Sequence, residues 1–201
     1  MPDPSPLILA SGSATRAKML RDAGVPIEVA VPAIDEVELK ASLSVSGATA
    51  ARAAETLAEM KAQRVAPRLP GRLVLGCDQM LECDGVWLDK PASRDDAREQ
   101  LKRLRGKSHS LVTGAVLVRD EQRLWHVIDR AELRMRNFSD AFLEEYLAKA
   151  GDDVLGSVGT YQLEGLGAQL FDRVSGDFFT ILGLPLLPVL AILREHGLVT
   201  R

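Results

Sequence analysis

Apolar positions in the first third of the chain follow two different periods. Short, unbroken apolar runs at residues 7–10 and 72–77 predict buried strands, and the stretch "PIEVAV" predicts another. Helical spacing predicts a helix from about Ala14 to Ala23, ended by Gly24, and a second from about Gly47 to Val65, closed by Pro67. Strands that alternate with helices predict a sheet with helices packed against it.

Hairpin patterns dominate the middle of the chain. "MLECDGVWL" predicts a hairpin around Asp84-Gly85, and "SLVTGAVLV" with "LWHVIDRAELRMR" predicts two long strands joined by a turn at 120–122. Ser93 and Ser139 stand where helix caps are expected, before helices that reach Arg105 and Ala150. A strand near "AQLFDRV" and a helix beyond Pro185 complete the pattern. The expected fold class is therefore α/β, with a mixed twisted sheet and flanking helices.

Composition narrows the classes of partner. The formal net charge of −3 gives no general attraction to nucleic acid, although a local basic pocket could still bind a polyanion. Two cysteines are too few for a secreted disulfide framework, and we interpret them as reduced thiols in a cytoplasmic protein. The N-terminus lacks the pattern of a signal peptide, and the apolar stretch "ILGLPLLPVLAIL" is too short and too interrupted by proline to span a membrane.

Common phosphate and metal motifs are excluded by single positions. "RLRGKS" resembles the end of a Walker A loop, but Leu101 stands where the first glycine is required. "GLGAQL" lacks the third glycine of a dinucleotide fingerprint, and the three histidines have no spacing typical of a zinc site.

The stretch "LILASGSATRAKML" (7–20) gives two interpretations of one strand-to-helix junction. Ser11 and Ser13 place hydroxyls and backbone N–H groups at a helix N-terminus, which favours anions, and Arg16 shares the inward helical face. A cation in the first turn opposes the helix dipole unless an anion lies between them. The alternative is a plain Ser13 cap, with Arg16 extending to solvent.

Several other charged residues lie at element ends or on inward faces. Lys61 shares a helical stripe with alanines, or it is an edge lysine whose ammonium lies in water. Asp78 directly follows a predicted buried strand, where α/β sheets place ligands, or it forms a turn. Either Asp35 or Glu36, which follow the second strand, could supply another carboxylate, and Lys90 precedes a proline and could simply be solvated. Two carboxylates, three cations and a helix end together suggest a site for a metal-bound polyphosphate.

Seven ordered blocks resemble the Maf family of nucleoside triphosphate pyrophosphatases. The blocks are "LILASGSATRAKML", "IDE", "LAEMKA", "LGCDQ", "DKP", "GKSHSLVTG" and "ILGLPL", and the resemblance runs from about residue 7 to 196. It implies one Maf-like domain over residues 1–201, related to the inosine triphosphate pyrophosphatases, with two lobes around a cleft. It also implies hydrolysis between the α- and β-phosphates to a nucleoside monophosphate and pyrophosphate, with a divalent cation, Mg²⁺ or Mn²⁺.

The same resemblance implies residue roles. Asp78 matches the general base and would share the metal with Glu36, while Lys61 and Lys90 match the catalytic lysines. The residues that match substrate-binding positions are Ser11, Ser13, Arg16, Gln79 and Glu164. The implied partner is a nucleoside triphosphate, with no nucleic acid or membrane, and a homodimer is possible by analogy.

Departures from the usual pattern bear on the substrate. Thr15 stands where the family usually has a second arginine. The Asp78-Gln79 pair and Glu164 resemble the subfamily that acts on 7-methyl-GTP. A carboxylate could pair with the positively charged, methylated guanine ring. The alternatives are a dTTP/UTP-type enzyme, a purine enzyme of the inosine triphosphate type, and a catalytically weak nucleotide-binding regulator of cell division.

Overall fold

The computed structural model describes residues 5–200, which form seven strands and seven α-helices. The strands are β1 (Leu7–Ala10), β2 (Ile27–Val29), β3 (Val74–Cys83), β4 (Val86–Leu88), β5 (Ser108–Arg119), β6 (Gln122–Met135) and β7 (Phe171–Ser175). The helices are α1 (Ala14–Asp22), α2 (Glu36–Val45), α3 (Ala50–Val65), α4 (Arg94–Leu104), α5 (Asp140–Ala150), α6 (Phe178–Ile181) and α7 (Leu186–Glu195). Short 3₁₀ turns lie at 66–68, 151–156, 158–160 and 166–170.

The strands form one mixed sheet, as the sequence predicts. Its order is β2-β1-β3-β5-β6-β7, with β4 paired to β3. Strand β1 lies parallel to both β2 and β3, whereas β3 with β4 and β6 with β7 are antiparallel. The hairpin predicted at Asp84-Gly85 is confirmed, with Cys83 opposite Val86.

The described residues divide into two compact units. The first contains 5–79, 113–129 and 178–200, and the second contains 80–112 and 130–177. Strands β3, β5 and β6 each contribute residues to both units.

In the first unit both faces of the sheet are buried. Successive side chains of a strand point to opposite faces, so odd and even positions enter different cores. Leu7, Leu9 and Leu75 pack with residues of α1 and α7, while Ile8 and Val74 pack with residues of α3. This period of two sorts the functional side chains described below.

Two glycines let α3 lie unusually close to the sheet. A Cβ on Gly76 would lie 1.9 Å from the carbonyl oxygen of Ala58, and one on Gly114 would lie 2.8 Å from that of Ala54. The facing side of α3 is built of small residues, since Ala54, Ala58 and Ala62 are fully buried. Helix and strands therefore approach backbone to backbone.

The second unit has an aromatic core around a histidine. Tyr161 Oη lies 2.7 Å from His109 Nε2, and the ring of Phe171 packs against both. Burial lowers the pKa of His109 to about 4, partly offset by the negative charge of Glu132. His109 is therefore a neutral, structural side chain at pH 7.

Several element boundaries differ from the sequence predictions. The strand expected at 72–77 continues to Cys83, and Asp78 lies inside it, so the placement of Asp78 after a strand end was wrong. Helix α2 (Glu36–Val45) was not predicted, and since none of its residues is buried it has no apolar stripe to signal a helix. No helix among residues 5–200 is long and apolar enough to cross a bilayer.

Candidate active site

A buried lysine joins two carboxylates in the first unit. Lys61 Nζ lies 2.6 Å from Asp78 Oδ1 and 2.9 Å from Glu36 Oε1. The Lys61 and Asp78 side chains are 6% and 5% exposed, whereas that of Glu36 is 42% exposed. The interpretation of Lys61 as an edge lysine in water is therefore wrong.

Helix packing explains why this lysine is buried. Lys61 lies on the same stripe of α3 as Leu57, Ala58 and Val65, and Gly76 lets that stripe reach the backbone of β3. Asp78 is two residues beyond Gly76 and so points to the same face of the strand. The close helix–strand approach thus brings an ammonium and a carboxylate together away from water.

Asp35 and Glu36 divide two tasks at the start of α2. Asp35 is the N-cap, and its Oδ1 accepts a hydrogen bond from the backbone N–H of Glu38 at 3.0 Å. Glu36 is the first helical residue, and its carboxylate turns to Lys61. The cap therefore fixes where the second carboxylate of the site begins.

Asp78 has one oxygen left for a ligand. Its Oδ1 accepts from Lys61, while Oδ2 is buried and has no hydrogen-bond partner among the described residues. A buried carboxylate oxygen without a partner is costly, which makes it a candidate for a cation or for a water molecule that donates a proton.

The carboxylates also fit a small divalent cation. Within residues 5–200 no cluster of three histidine, cysteine or acidic side chains could hold a metal ion. Mg²⁺, however, commonly takes only one or two protein carboxylates and completes its shell with water and substrate phosphates. Asp78 and Glu36, both held by Lys61, match that requirement.

The strand-to-helix junction at 11–16 is both a cap and a set of polar groups. Ser13 caps α1, since its side chain accepts from the backbone N–H of Arg16 at 3.3 Å. Ser11 is buried, and its Oγ accepts from the N–H of Ser13 at 3.2 Å and from Arg16 Nη1 at 3.1 Å. The predicted Ser13 cap is confirmed, and binding of an anion here stays a prediction.

Arg16 is fixed by backbone carbonyls rather than extended into solvent. Its Nε donates to Gly183 O at 2.6 Å, and its Nη1 donates to Cys77 O at 3.1 Å. Gly183 has φ +98°, and a Cβ there would lie 3.4 Å from the guanidinium. A side chain at 183 would therefore strain the backbone and press on Arg16.

The Cys77 thiol lies within the electrostatic field of three charged groups of the site, Arg16, Lys61 and Asp78. Burial raises its pKa, while Arg16 and Lys61 act to lower it and Asp78 acts to raise it. A thiol held neutral in this way is an inert packing group. Its neighbours nevertheless show that Arg16, Lys61 and Asp78 converge on one segment of β3.

Gln79 points to the face of β3 opposite Asp78. Its Nε2 donates to Thr113 Oγ1 and Thr180 O, both at 2.9 Å, and to Ile181 O at 3.2 Å. Both carbonyls are acceptors only, which fixes the orientation of the amide. The amide N–H groups are thus directed at the protein itself.

Lys90 and Glu164 belong to the second unit. Lys90 is exposed in the segment between β4 and α4, and Glu164 is exposed in a turn before the 3₁₀ helix at 166–170. Their predicted roles stay predictions.

Some residues that hold the site were given no role from sequence. Thr113 lies in "GKSHSLVTG" and Gly183 in "ILGLPL", two blocks that carried the resemblance, yet backbone acceptors such as Gly183 O have no side-chain signature. The Gly183-Leu184-Pro185 sequence indicates a turn, but it does not indicate which side chain the turn contacts.

Comparison with known proteins now identifies the family. The profile of the family described as "Maf-like protein" matches residues 6–196. The chain belongs to the Maf family. The match includes every residue of the site described above.

Curated relatives are similar over nearly their full length. A nucleoside triphosphate pyrophosphatase of Paramagnetospirillum magneticum is 57% identical over 94% of this chain and 98% of that protein. A protein of the same name from Rhodospirillum rubrum is 50% identical over 96% of this chain and 95% of its own length. A solved nucleoside-triphosphatase / dITP/XTP pyrophosphatase from Mycobacterium abscessus is 15% identical, with a TM-score of 0.46, over 96% of this chain and 95% of that one. A similarity of that strength has no bearing on activity.

Proposed function

We propose that this Maf-family protein hydrolyses the bond between the α- and β-phosphates of a nucleoside triphosphate. The products are a nucleoside monophosphate and pyrophosphate. The names of its curated relatives support this activity, and so does the arrangement of charges around Asp78.

The observation that carries the proposal is the unpartnered Oδ2 of Asp78. Lys61 holds the other oxygen at 2.6 Å and so fixes the plane of the carboxylate. A fixed, buried carboxylate oxygen is a suitable acceptor for the proton of an attacking water. Asp78 is therefore assigned as the general base.

The reaction balances with the groups present. The water oxygen forms a bond to the α-phosphorus while the bond from that phosphorus to the α,β-bridging oxygen breaks. One water proton passes to Asp78 Oδ2, and the electron pair of the broken bond leaves on pyrophosphate. Arg16 contributes a fixed positive charge to the phosphates, and Ser11 and Ser13 hold it at the N-terminus of α1.

A divalent cation would be held by Glu36 and by the lone pair of Asp78 Oδ1 that Lys61 does not use, so that Oδ2 stays available for the water proton. When bound, it would neutralise phosphate oxygens and so favour attack on phosphorus. Lys61 keeps the two carboxylates together, because a single ammonium contacts both.

For the nucleobase of the substrate, we propose a positively charged purine, as in 7-methyl-GTP. The support is the resemblance of the Asp78-Gln79 pair and Glu164 to the 7-methyl-GTP subfamily, together with the exposed carboxylate of Glu164, which would attract the charged ring. Lys90, in the "DKP" block, would add a cation for the phosphates. A dTTP/UTP-type preference is the alternative, since a pyrimidine needs no carboxylate partner.

A substrate panel with separate detection of pyrophosphate and orthophosphate tests these proposals. The purified protein is incubated with 7-methyl-GTP, dTTP, UTP and ITP in the presence of Mg²⁺ or Mn²⁺. We expect pyrophosphate and monophosphate, with 7-methyl-GTP turned over fastest. Release of orthophosphate alone would contradict the proposed reaction. Faster turnover of dTTP or UTP than of 7-methyl-GTP would contradict the proposed nucleobase.

Two matched variants test whether Asp78 is the general base. Asp78→Asn should lower kcat by about 100-fold or more, because it removes the proton acceptor. Asp22→Asn is the control, since Asp22 is an exposed partner of Lys18 at the end of α1. If both variants keep wild-type activity, Asp78 is not the base. A protein that binds nucleotides but hydrolyses none would favour the regulator.

A further inference from the structure

One carbonyl oxygen in the first unit collects three donors. Thr180 O accepts from Gln79 Nε2 at 2.9 Å, from Thr113 Oγ1 at 3.1 Å and from the backbone N–H of Gly183 at 3.0 Å. This saturates its two lone pairs. The carbonyl thus connects the side chains of β3 and β5 to residues 180–183, which are the end of α6 and the residues after it and are called the 180–183 turn below.

The same turn holds Arg16 in place. Gly183, whose N–H is fixed by Thr180 O, presents its carbonyl to Arg16 Nε at 2.6 Å and to Cys77 Sγ at 3.1 Å. The hydrogen bonds therefore run without a break from Gln79 through Thr180 and Gly183 to Arg16.

The opposite side of Thr180 is also fixed. Its Oγ1 donates to Asp129 Oδ2 at 2.7 Å, from the end of the first-unit part of β6. Thr180 itself is fully buried. The turn is therefore bonded to β3, β5 and β6, and little freedom is left for its carbonyls.

The strand period separates Gln79 from the carboxylates. Asp78 points to the α3 face and Gln79 to the opposite face, on which Cys77 packs with residues of α1 and α7. Gln79 therefore lies on the side of the sheet that carries Arg16.

From this arrangement we infer that Gln79 is a positioning residue, which orients Arg16 for phosphate through the 180–183 turn instead of selecting the base. The inference rests on the proposed function, because it assigns Arg16 to the phosphates of the substrate. In this interpretation Asp78 is the general base, and its neighbour Gln79 holds the arginine in place.

A ligand without a base separates the two roles. The probe is inorganic pyrophosphate, which has phosphates and no nucleobase, and its dissociation constant is measured by titration calorimetry. Gln79→Met keeps the length of the side chain but removes the donors. We expect it to weaken pyrophosphate binding about tenfold, as the loss of hydrogen bonds that orient a charged group predicts.

Controls separate positioning from folding. Gln63→Met makes the same change at an exposed glutamine of α3, and it should leave binding unchanged. Thr113→Val removes another donor to Thr180 O and should weaken binding about threefold. If Gln79→Met proves unstable in thermal unfolding, Thr113→Val provides the test.

Coupling to Arg16 gives the decisive comparison. If Gln79 acts through the arginine, adding Gln79→Met to Arg16→Ala should not weaken pyrophosphate binding further. In turnover, Gln79→Met should raise KM for every triphosphate of the panel alike and leave their ranking unchanged.

Two outcomes would overturn the inference in distinguishable ways. Wild-type affinity of Gln79→Met for pyrophosphate, with an altered ranking of bases, would mean that Gln79 contacts the base directly. Failure of the wild-type protein to bind pyrophosphate or to hydrolyse any triphosphate would instead remove the proposed function itself.

Discussion

Replacing Lys61 by methionine tests how strongly the buried ion pair holds the site. Methionine keeps most of the aliphatic stem, so the change removes the charge rather than the packing. It leaves the Asp78 carboxylate, 5% exposed, without its Lys61 partner. Breaking a buried pair in this way costs about 3–5 kcal/mol.

The control is the same substitution at an exposed pair. Lys18 bonds to Asp22 one turn along α1, and these side chains are 74% and 60% exposed. Exposed pairs at this spacing contribute only about 0.3–0.5 kcal/mol. Lys18→Met should therefore lower the free energy of unfolding by only about 0.5 kcal/mol or less.

Urea unfolding followed by circular dichroism measures both variants. For a loss of about 3 kcal/mol in a chain of this size, the midpoint of thermal unfolding should also fall by roughly 6–12 °C. Adding Asp78→Asn to Lys61→Met should recover part of the loss, because it removes the uncompensated charge. Equal stabilities of Lys61→Met and Lys18→Met would refute the reasoning.

Three further predictions concern glycines and a histidine. Gly76→Ala should destabilise the fold by about 3 kcal/mol or more in urea unfolding, because its Cβ would lie 1.9 Å from a carbonyl of α3, whereas Gly12→Ala, with 3.7 Å to its nearest contact, should cost far less. Gly183→Ala should raise KM about tenfold in steady-state kinetics by disturbing Arg16, and an unchanged KM would contradict that contact. Burial lowers the pKa of His109 from 6.5 to about 4, so the unfolded chain takes up a proton at a higher pH than the folded protein does. The free energy of unfolding should therefore fall by about 3 kcal/mol as the pH drops from above 6.5 to below 4. His109→Gln should remove this pH dependence, as measured by urea unfolding at a series of pH values.

Local patterns predicted most of the elements, but not helices α2 and α6 and not every element end. The mixed sheet, the Ser13 cap and the stripe of α3 that carries Lys61 follow from periods and caps, which are properties of neighbouring residues. The joining of the two predicted strands, at 72–77 and from Met80, into one β3 through Asp78 and Gln79 did not follow. An aspartate after an apolar run is typical of a turn, and only a lysine from a distant helix makes it suitable for a strand interior.

Long-range hydrogen bonds explain what sequence reasoning missed in the site. The resemblance implied a substrate contact for Gln79, which stays a prediction, whereas its hydrogen bonds to the carbonyls of Thr180 and Ile181 had no local signature. Likewise, the carbonyl of Gly183 meets Arg16 across 167 positions of sequence, and no local pattern reports such a contact. Resemblance identified the correct blocks, and the coordinates show what those blocks touch.

The alternation of side chains along β3 also limits how this protein can change in length. Deleting Cys77 would exchange the two faces, directing the Gln79 amide toward Lys61 and the Asp78 carboxylate toward the 180–183 turn. A substitution there changes one side chain, whereas a shift of one position displaces every group at once. Insertions are better tolerated at the exposed Asp120-Glu121 turn between β5 and β6, where no side chain of the site depends on the count. For an engineer, β3 is a segment of fixed length, and that turn is the place to add a tag or a reporter.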